Sequence, residues 1–536
     1  MASVAPGLLP SLAIAAATGA SVALLIRSLS LFMYRKWFLQ GPVWDSAFHL
    51  AVIRTLKRKG RYDGVDEFLM KNKPDTYPIA FHRYAALFPR RWIEDFPFLP
   101  NLLMYVTSSA AYVAYLHYVG TSFFGRHALE FTLIAAAFHF FSISNITFNG
   151  NAILYLSLAE RQLGRIVCAW YFLTLSFALG FQDPVSFVLA VLSGGLAGIS
   201  SMFARQAIGF VTPLIALYLW DVTPMIVLTL AFLVALAVDR SYFLRGLGQM
   251  AEFWKAYVRF TKRSNWVKPS LSRLVDLSTI FGRGRSVSQR IAELEGKEPT
   301  RLLFAFPELF LLFALYSSGP VPEARHTVAI ILATLTVYLL TSLKILNHFG
   351  EALRYVEFNL YLLLPAAIAI CMPGSEAGIG PTALAVYCVW AALIVLRQLI
   401  LWARIPYPRK DELAEFLKPL GIGASDTVFP IPFTLGPGVS VRTSCRAITY
   451  QGSAVNVALY EKFTEEVPFL KRDWSALFAE HQVTHVVALA LVVNSLKDYL
   501  GWEYDFGSLV KIAESKEFVA YRTTAAPMLV PARANV

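Results

Sequence analysis

Apolar runs of about 20 residues recur along most of this chain, and a run of that length crosses a bilayer as one helix. About eleven can be counted by that criterion. They centre on residues 8–29, 102–120, 129–146, 164–180, 184–201, 206–220, 223–238, 302–318, 326–345, 357–373 and 381–403. The stretch 184–238 is nearly continuous, and its division into three spans is the least sharply marked in the sequence. Of the 536 residues 56% are hydrophobic and 16% charged, where soluble domains carry about 25% charged residues. The expected fold class is therefore a polytopic α-helical membrane protein. The first positive side chain, Arg27, follows the first apolar run, so that run reads as a retained helix and not as a cleaved signal.

Three polar stretches interrupt the pattern. In residues 33–101, Asp45 to Lys59 forms an amphipathic segment with Phe48, Val52, Ile53 and Leu56 on one face. An acid at its start and cations at its end suit the helix dipole, and Gly60 is a natural stop. Such a helix is expected to lie along the membrane surface. Residues 239–301 carry thirteen Lys/Arg against six Asp/Glu and read as a basic loop with interfacial helices. Residues 404–536 change to short alternating elements, predicting a small C-terminal α/β domain after a transmembrane domain over 1–403. Within it, Asp411–Leu420 and Arg472–Glu480 read as helices, and Thr427–Phe433, Val439–Tyr450, Thr484–Val493 and Phe518–Thr523 as strands.

The net charge of +12 is spread over several loops. That distribution suits anionic membrane lipids and excludes a nucleic-acid stripe. The four cysteines form no CxxC pair and imply neither a disulfide framework nor a zinc site.

Asp45 and His49 stand at i and i+4 on one helix face. A carboxylate and an imidazole so placed can deprotonate a hydroxyl or hold a divalent metal, Mg or Mn. They can equally be a dipole-favoured helix start and an interfacial side chain. His82, beside Pro78 in the same loop, could approach both. Arg205 interrupts a long apolar region, where a charge must face a cavity, a partner or the interface. Arg354 has Glu351 and Glu357 three residues to either side and Tyr355 next to it. This is either a self-satisfied ion-pair cluster or an arginine positioned to grip a phosphate. The loops of nucleotide-binding, zinc-protease and serine-hydrolase sites (GxxxxGK[ST], HExxH, GxSxG) are absent, and Tyr62-Asp63-Gly64-Val65-Asp66-Glu67 holds no DxD.

Taken together, the pattern resembles the GT-C superfamily of membrane glycosyltransferases. Trp44-Asp45-Ser46-Ala47-Phe48-His49-Leu50 is similar to the Asp-Ser-Tyr-Tyr-His-type opening of oligosaccharyltransferase catalytic subunits. The resemblance implies a sugar donor linked to a polyprenyl phosphate, a glycan, lipid or protein acceptor, and an inverting transfer. It implies Asp45 as the acid at the reacting centre with His49 and His82 beside it. Arg354 is then the candidate for the donor phosphate, Arg205 a second one, and Glu351, Tyr355 and Glu357 support them. No Trp-Trp-Asp triplet occurs after residue 404, which argues against transfer to Asn sequons.

With eleven spans, loops 33–101, 239–301 and 346–357 and the C-terminal domain share one side. The resemblance puts that side outside the cytoplasm of a bacterial inner membrane. The positive-inside rule puts such basic loops inside, though it counts best over loops under about 60 residues. Three rivals stand beside the transferase. One is a flippase or other transporter of lipid-linked saccharides, and a second is a polysaccharide polymerase or ligase. The third is an assembly subunit with a degenerate transferase fold. No matching halves occur for the first, and the basic loop 239–301 lacks the histidine expected of the second.

Overall fold

The computed structural model describes residues 8–33, 45–70, 77–143, 157–263, 298–319, 321–343, 351–372, 379–404, 411–449, 474–493 and 509–523. It also describes 346, 349, 462, 464–466 and 469–470. Nineteen α-helices and seven strands are named here in chain order. The helices are α1 Leu8–Met33, α2 Asp45–Lys59, α3 Ala80–Ala86, α4 Arg90–Asp95, α5 Leu99–Val119, α6 Ala128–Phe141 and α7 Arg161–Phe181. There follow α8 Pro184–Ser200, α9 Met202–Leu219, α10 Thr223–Arg263, α11 Glu298–Ala305, α12 Glu308–Ser318 and α13 Arg325–Thr341. The last are α14 Ala352–Leu360, α15 Leu363–Cys371, α16 Ile379–Arg404, α17 Glu412–Leu417, α18 Gly436–Thr443 and α19 Ser475–Glu480. The strands are β1 Thr427–Ile431, β2 Arg446–Ala447, β3 Thr464–Glu466, β4 Phe469–Leu470, β5 His485–Leu489, β6 Leu509–Glu514 and β7 Phe518–Thr523.

Each apolar run of the sequence carries helix. Among the described residues six helices are long and apolar enough to cross a membrane, or seven if the pair α14 and α15, bent by 62° at its break, forms one span. Burial separates centre from rim. In α7 72% of the spanning window is buried, but in α1 and α16 only 11%. Leu9, Ile14, Val386 and Val389 on those two rim helices are more than 60% exposed. Apolar surface of that extent suits lipid and not water.

Short-range chemistry sets the breaks in 184–238. Asp183 caps α8 by accepting from the backbone N–H groups of Val185 and Ser186. Ser201 turns extended and its side chain accepts from Ala204 N–H, so α9 starts afresh there. Asp221 accepts from Thr223 N–H at 2.8 Å to open α10, and Asp239 breaks α10 with φ −150° and accepts from Tyr242 N–H. Close packing then locks α8 on α10. A Cβ placed on Gly195 would lie 2.6 Å from a Val234 methyl, and one on Gly194 2.7 Å from Ala231. Small residues of this kind let two membrane helices approach closely.

The C-terminal region holds a five-stranded sheet in the order β2-β1-β5-β7-β6. β1 runs parallel to β2 and β5, while β7 is antiparallel to β5 and β6. Val439–Tyr450, read as one strand, departs from that expectation. Gly436–Thr443 is helical, with Pro in its first turn, and only Arg446–Ala447 pairs as strand. A helix start carrying Pro overrides the apolar alternation there. The first polar stretch joins this unit: Ala447 N–H donates to Glu67 O at 2.8 Å, and Leu69 N–H donates to Ala447 O at 3.0 Å. Met70 is buried in the sheet's core beside Phe429 and Ile431. Most of the basic loop 239–301 lies outside the described residues.

Candidate functional site

Helix α2 spans the expected Asp45–Lys59 and ends where Gly60, at φ 70°, returns its N–H to Leu56 O at 2.8 Å. Only a residue free of a Cβ adopts that left-handed stop without strain. Unlike a helix lying on a membrane with one face wet, α2 is buried from Ala47 through Ile53. It is packed between α3 and α18. Its acid end stays open, with Asp45 42% exposed and its carboxylate 3.7 Å from the Arg161 guanidinium.

Behind Asp45 lies a buried polar row. His49 Nδ1 meets His82 Nε2 at 2.8 Å, and His49 Nε2 lies 2.8 Å from the Glu160 carboxylate. The Tyr77 hydroxyl donates to the other Glu160 oxygen at 2.5 Å. The two imidazoles stack with centroids 5.0 Å apart, and Tyr77 and Phe81 press edges against His82. The approach of His82 to His49 is as the sequence suggested. Burial pushes the Glu160 carboxyl up, but the neighbouring His49 ring, the hydrogen bond it makes and the Tyr77 hydroxyl outweigh it and hold the group well below the usual carboxylate range. Burial, with Glu160 beside it, lifts the Tyr77 phenol well above its ordinary value. Both ring nitrogens of His49 are thus engaged.

Glu160 stands out in the sequence only as preceding the fourth apolar span, with no role attached to it. It stands directly before the central helix α7, as Asp45 stands at the start of α2. An acid at a helix start ahead of an apolar span was the signal that could have found it.

Arg354 lies at the same end of the bundle. A Cβ on Gly164 would come within 3.0 Å of the Phe358 ring, and the Arg165 guanidinium sits 3.6 Å over the Tyr361 ring. Helix α14 therefore descends alongside α7, and Arg354 stands near the level of Arg161. Arg354 Nε donates to Glu351 at 3.0 Å, and Arg301 reaches the same carboxylate at 3.6 Å.

Three other expected site residues sit elsewhere. Arg205 is 2% exposed. Its Nε donates to Gly198 O at 2.8 Å, and the guanidinium packs on Tyr242, Phe243 and Gly246. This cation inside an apolar run meets a helix-end carbonyl through Nε and aromatic faces at the junction of α8, α9 and α10, while its two terminal nitrogens are buried without a hydrogen-bond partner among the described residues. Tyr355 turns inward and donates to Phe349 O at 2.8 Å. Glu357 is buried in the bundle.

A second buried polar group joins α1, α5, α6 and the end of α14. Arg27 rests 4.0 Å over the Tyr105 ring. His139 meets the Ser109 hydroxyl at 3.0 Å and lies 5.2 Å from Tyr361, ring to ring. Among the described residues no group of three or more His, Cys, Asp or Glu is placed to hold a metal ion.

No protein-family model matches the chain, and no curated protein matches it. Solved structures resemble it at low identity. ArnT from Cupriavidus metallidurans bound to undecaprenyl phosphate matches 94% of this chain and 98% of its own, at 12% identity and TM-score 0.37. The oligosaccharyltransferase AglB from Archaeoglobus fulgidus, in complex with an inhibitory peptide and a dolichol-phosphate, matches 97% of this chain and 75% of its own. Its identity is 12% and its TM-score 0.49.

Proposed function

We propose that the protein is a membrane glycosyltransferase that moves a sugar from a polyprenyl-phosphate-linked donor to an acceptor hydroxyl. The observation that carries this reading is the setting of Asp45. A half-exposed carboxylate opens a buried helix at the end of a membrane bundle, backed by the row Tyr77–Glu160–His49–His82 and faced by Arg161. In the proposed step the Asp45 carboxylate takes the acceptor proton as the acceptor attacks the anomeric carbon. The bond from that carbon to the phosphate oxygen breaks, and the configuration inverts. Arg354 receives the charge growing on the leaving lipid phosphate, which guanidinium geometry suits. The row behind holds α2 and its acid in place. No ligand set for a divalent metal occurs among the described residues, and no step is routed through one.

In this reading the chain spans the membrane eleven times. Asp45, Arg354 and the C-terminal α/β unit lie outside the cytoplasm of a bacterial inner membrane. The acceptor is a glycan, a lipid or a protein. Transfer by the full-length protein in proteoliposomes, with a radiolabelled polyprenyl-phosphate sugar, tests it. Asp45→Asn should reduce turnover by at least about a hundredfold, the scale of a lost general base, with an unchanged thermal midpoint. Near-normal turnover in Asp45→Asn would sink the assignment.

One observation favours a second reading, transport of a lipid-linked saccharide. The helix pair α14 and α15 is broken by 62°, and broken helices often build transporter sites. Accumulation of labelled donor in proteoliposomes without cleavage of its glycosyl bond would select it.

A further inference from the structure

A cavity of about 410 Å³ opens between α2, α18 and α4. One wall is a single stripe of α2, where Ala51, Arg54, Thr55 and Arg58 follow at helical spacing. The facing wall is the end of α18, with Ser440 and Ser444, and Arg90 of α4 and Lys57 stand at the rim. Four cations thus line the space against one acid, Glu67.

The dipole of α2 accounts for some of this charge but not for its direction. Lys59, in the same last turn, leaves the cavity for Asp66 at 2.8 Å and Asp63 at 3.3 Å. Lys57 instead rests on a neutral acceptor, the Phe88 carbonyl, at 2.6 Å. Arg90 belongs to another helix altogether and is 66% exposed, sharing Glu94 with Arg54 at 2.8 and 2.7 Å. Arg58 is 54% exposed and makes longer contacts, 3.1 Å to Glu67 and 3.4 Å to Asp66. Ion pairs so open contribute little and exchange readily. Two arginines can therefore turn from their carboxylates onto a stronger anion without leaving a buried charge behind. On the opposite wall the Ser440 hydroxyl donates to Cys445 O at 2.9 Å, so Ser444 is the hydroxyl there that this bond does not occupy. Ser444 holds the left-handed conformation at φ 60° there, a backbone state that non-glycine residues adopt most often where the surroundings fix it.

We propose that this cleft is a phosphate-binding site, separate from Asp45. Arg54 to Arg58 lie nine to thirteen residues along α2 from Asp45, about 14 to 20 Å away by helical rise. The cleft therefore takes an anionic group that does not react, carried either on a membrane lipid head group or on a soluble phosphorylated saccharide. It does not depend on the transfer reading, because binding is measured without turnover.

The test uses full-length protein and tripolyphosphate as the probe. In neutral detergent, tripolyphosphate should raise the thermal midpoint in proportion to the logarithm of its concentration. The effect should fade in high salt. In the double variant Arg58→Gln/Arg90→Gln the midpoint without ligand should stay close to wild type, and affinity should fall at least about tenfold, the equivalent of one lost charge-assisted contact. An equal shift in wild type and variant, or no shift in either, overturns the proposal. A third arm repeats the titration in nanodiscs of phosphatidylcholine with and without phosphatidylglycerol. Loss of the shift only where the anionic lipid is present assigns the site to a head group, and a shift that survives in both assigns it to a soluble phosphate.

Discussion

The Glu160 carboxylate lies 2.8 Å from His49 Nε2, so the start of α7 is fastened to the middle of α2. Tyr77 holds the second oxygen of the same carboxylate, and His82 holds the second nitrogen of the same imidazole. One acid thereby ties the central membrane helix to the three segments of the first polar stretch that surround Asp45. A side chain 18% exposed with two close partners cannot be exchanged for an apolar one without stranding both.

The linkage gives an acid limb to stability. The folded state holds Glu160 below the ordinary carboxylate range, so folding favours the ionised form. Its stabilisation is complete above the unfolded value, about 4.3, and is lost as pH falls from there toward the depressed folded value. Thermal midpoints of wild type and Glu160→Gln, measured in detergent from pH 7 to 3, should differ by a constant amount down to about pH 5 and converge below about pH 4. A gap that stays constant to pH 3 would show that the row does not carry this charge.

The same row predicts a graded mutational series. Tyr77→Phe removes one hydrogen bond to the carboxylate and should cost about 1 to 2 kcal/mol. Glu160→Gln leaves His49 facing an amide and should cost about 1 to 3 kcal/mol at neutral pH. The double variant should cost less than the sum, because both changes break one shared contact. Chemical or thermal unfolding in detergent measures all three. Additive losses would mean that the two residues act separately.

Much of the bundle was legible because its signals are local. Apolar length marked the spans, and the Asp45-to-Gly60 pattern marked α2 at both ends. The pairing of His49 with His82 was legible as proximity within one loop. Glu160 was not, since nothing in its neighbourhood reveals that the chain returns it to His49. The bridge from Glu67 and Leu69 to Ala447 was hidden for the same reason. Arg205 shows the opposite failure. Its charge was visible, but the carbonyl and rings that it meets depend on the crossing of three helices.

Gly164 sets the level of Arg354 relative to Arg161. A Cβ there would lie 2.8 Å from Ser201 Cβ and 3.0 Å from the Phe358 ring, so even alanine must displace α9 or α14. Overpacking of this kind costs about 1 to 3 kcal/mol. Gly164→Ala should therefore lower the thermal midpoint, and in the transfer assay it should raise the KM for the lipid-linked donor more than it lowers kcat. A variant with wild-type stability would show that the helices part freely at this level.

Arg54 is the mechanical joint between helix α2 and the C-terminal unit. Its NH1 donates to Val441 O at 2.8 Å, near the end of α18, while Nε and NH2 both hold Glu94 at 3.0 and 2.7 Å. One guanidinium thus satisfies a helix-end carbonyl on α18 and a carboxylate on α4 from its place on α2, a geometry that lysine cannot copy. The Glu94 pair is about one-third exposed and contributes little by itself. The bond to Val441 is the larger loss. Arg54→Met, which keeps the packing stem, should cost about 1 to 2 kcal/mol. Arg54→Lys should restore less than half of it. The loss should appear locally, as faster amide hydrogen exchange over 436–443 with exchange in α7 unchanged, because the C-terminal unit loosens from α2 while the bundle stays intact. Uniformly faster exchange through the bundle would instead make Arg54 part of the global fold and not a joint.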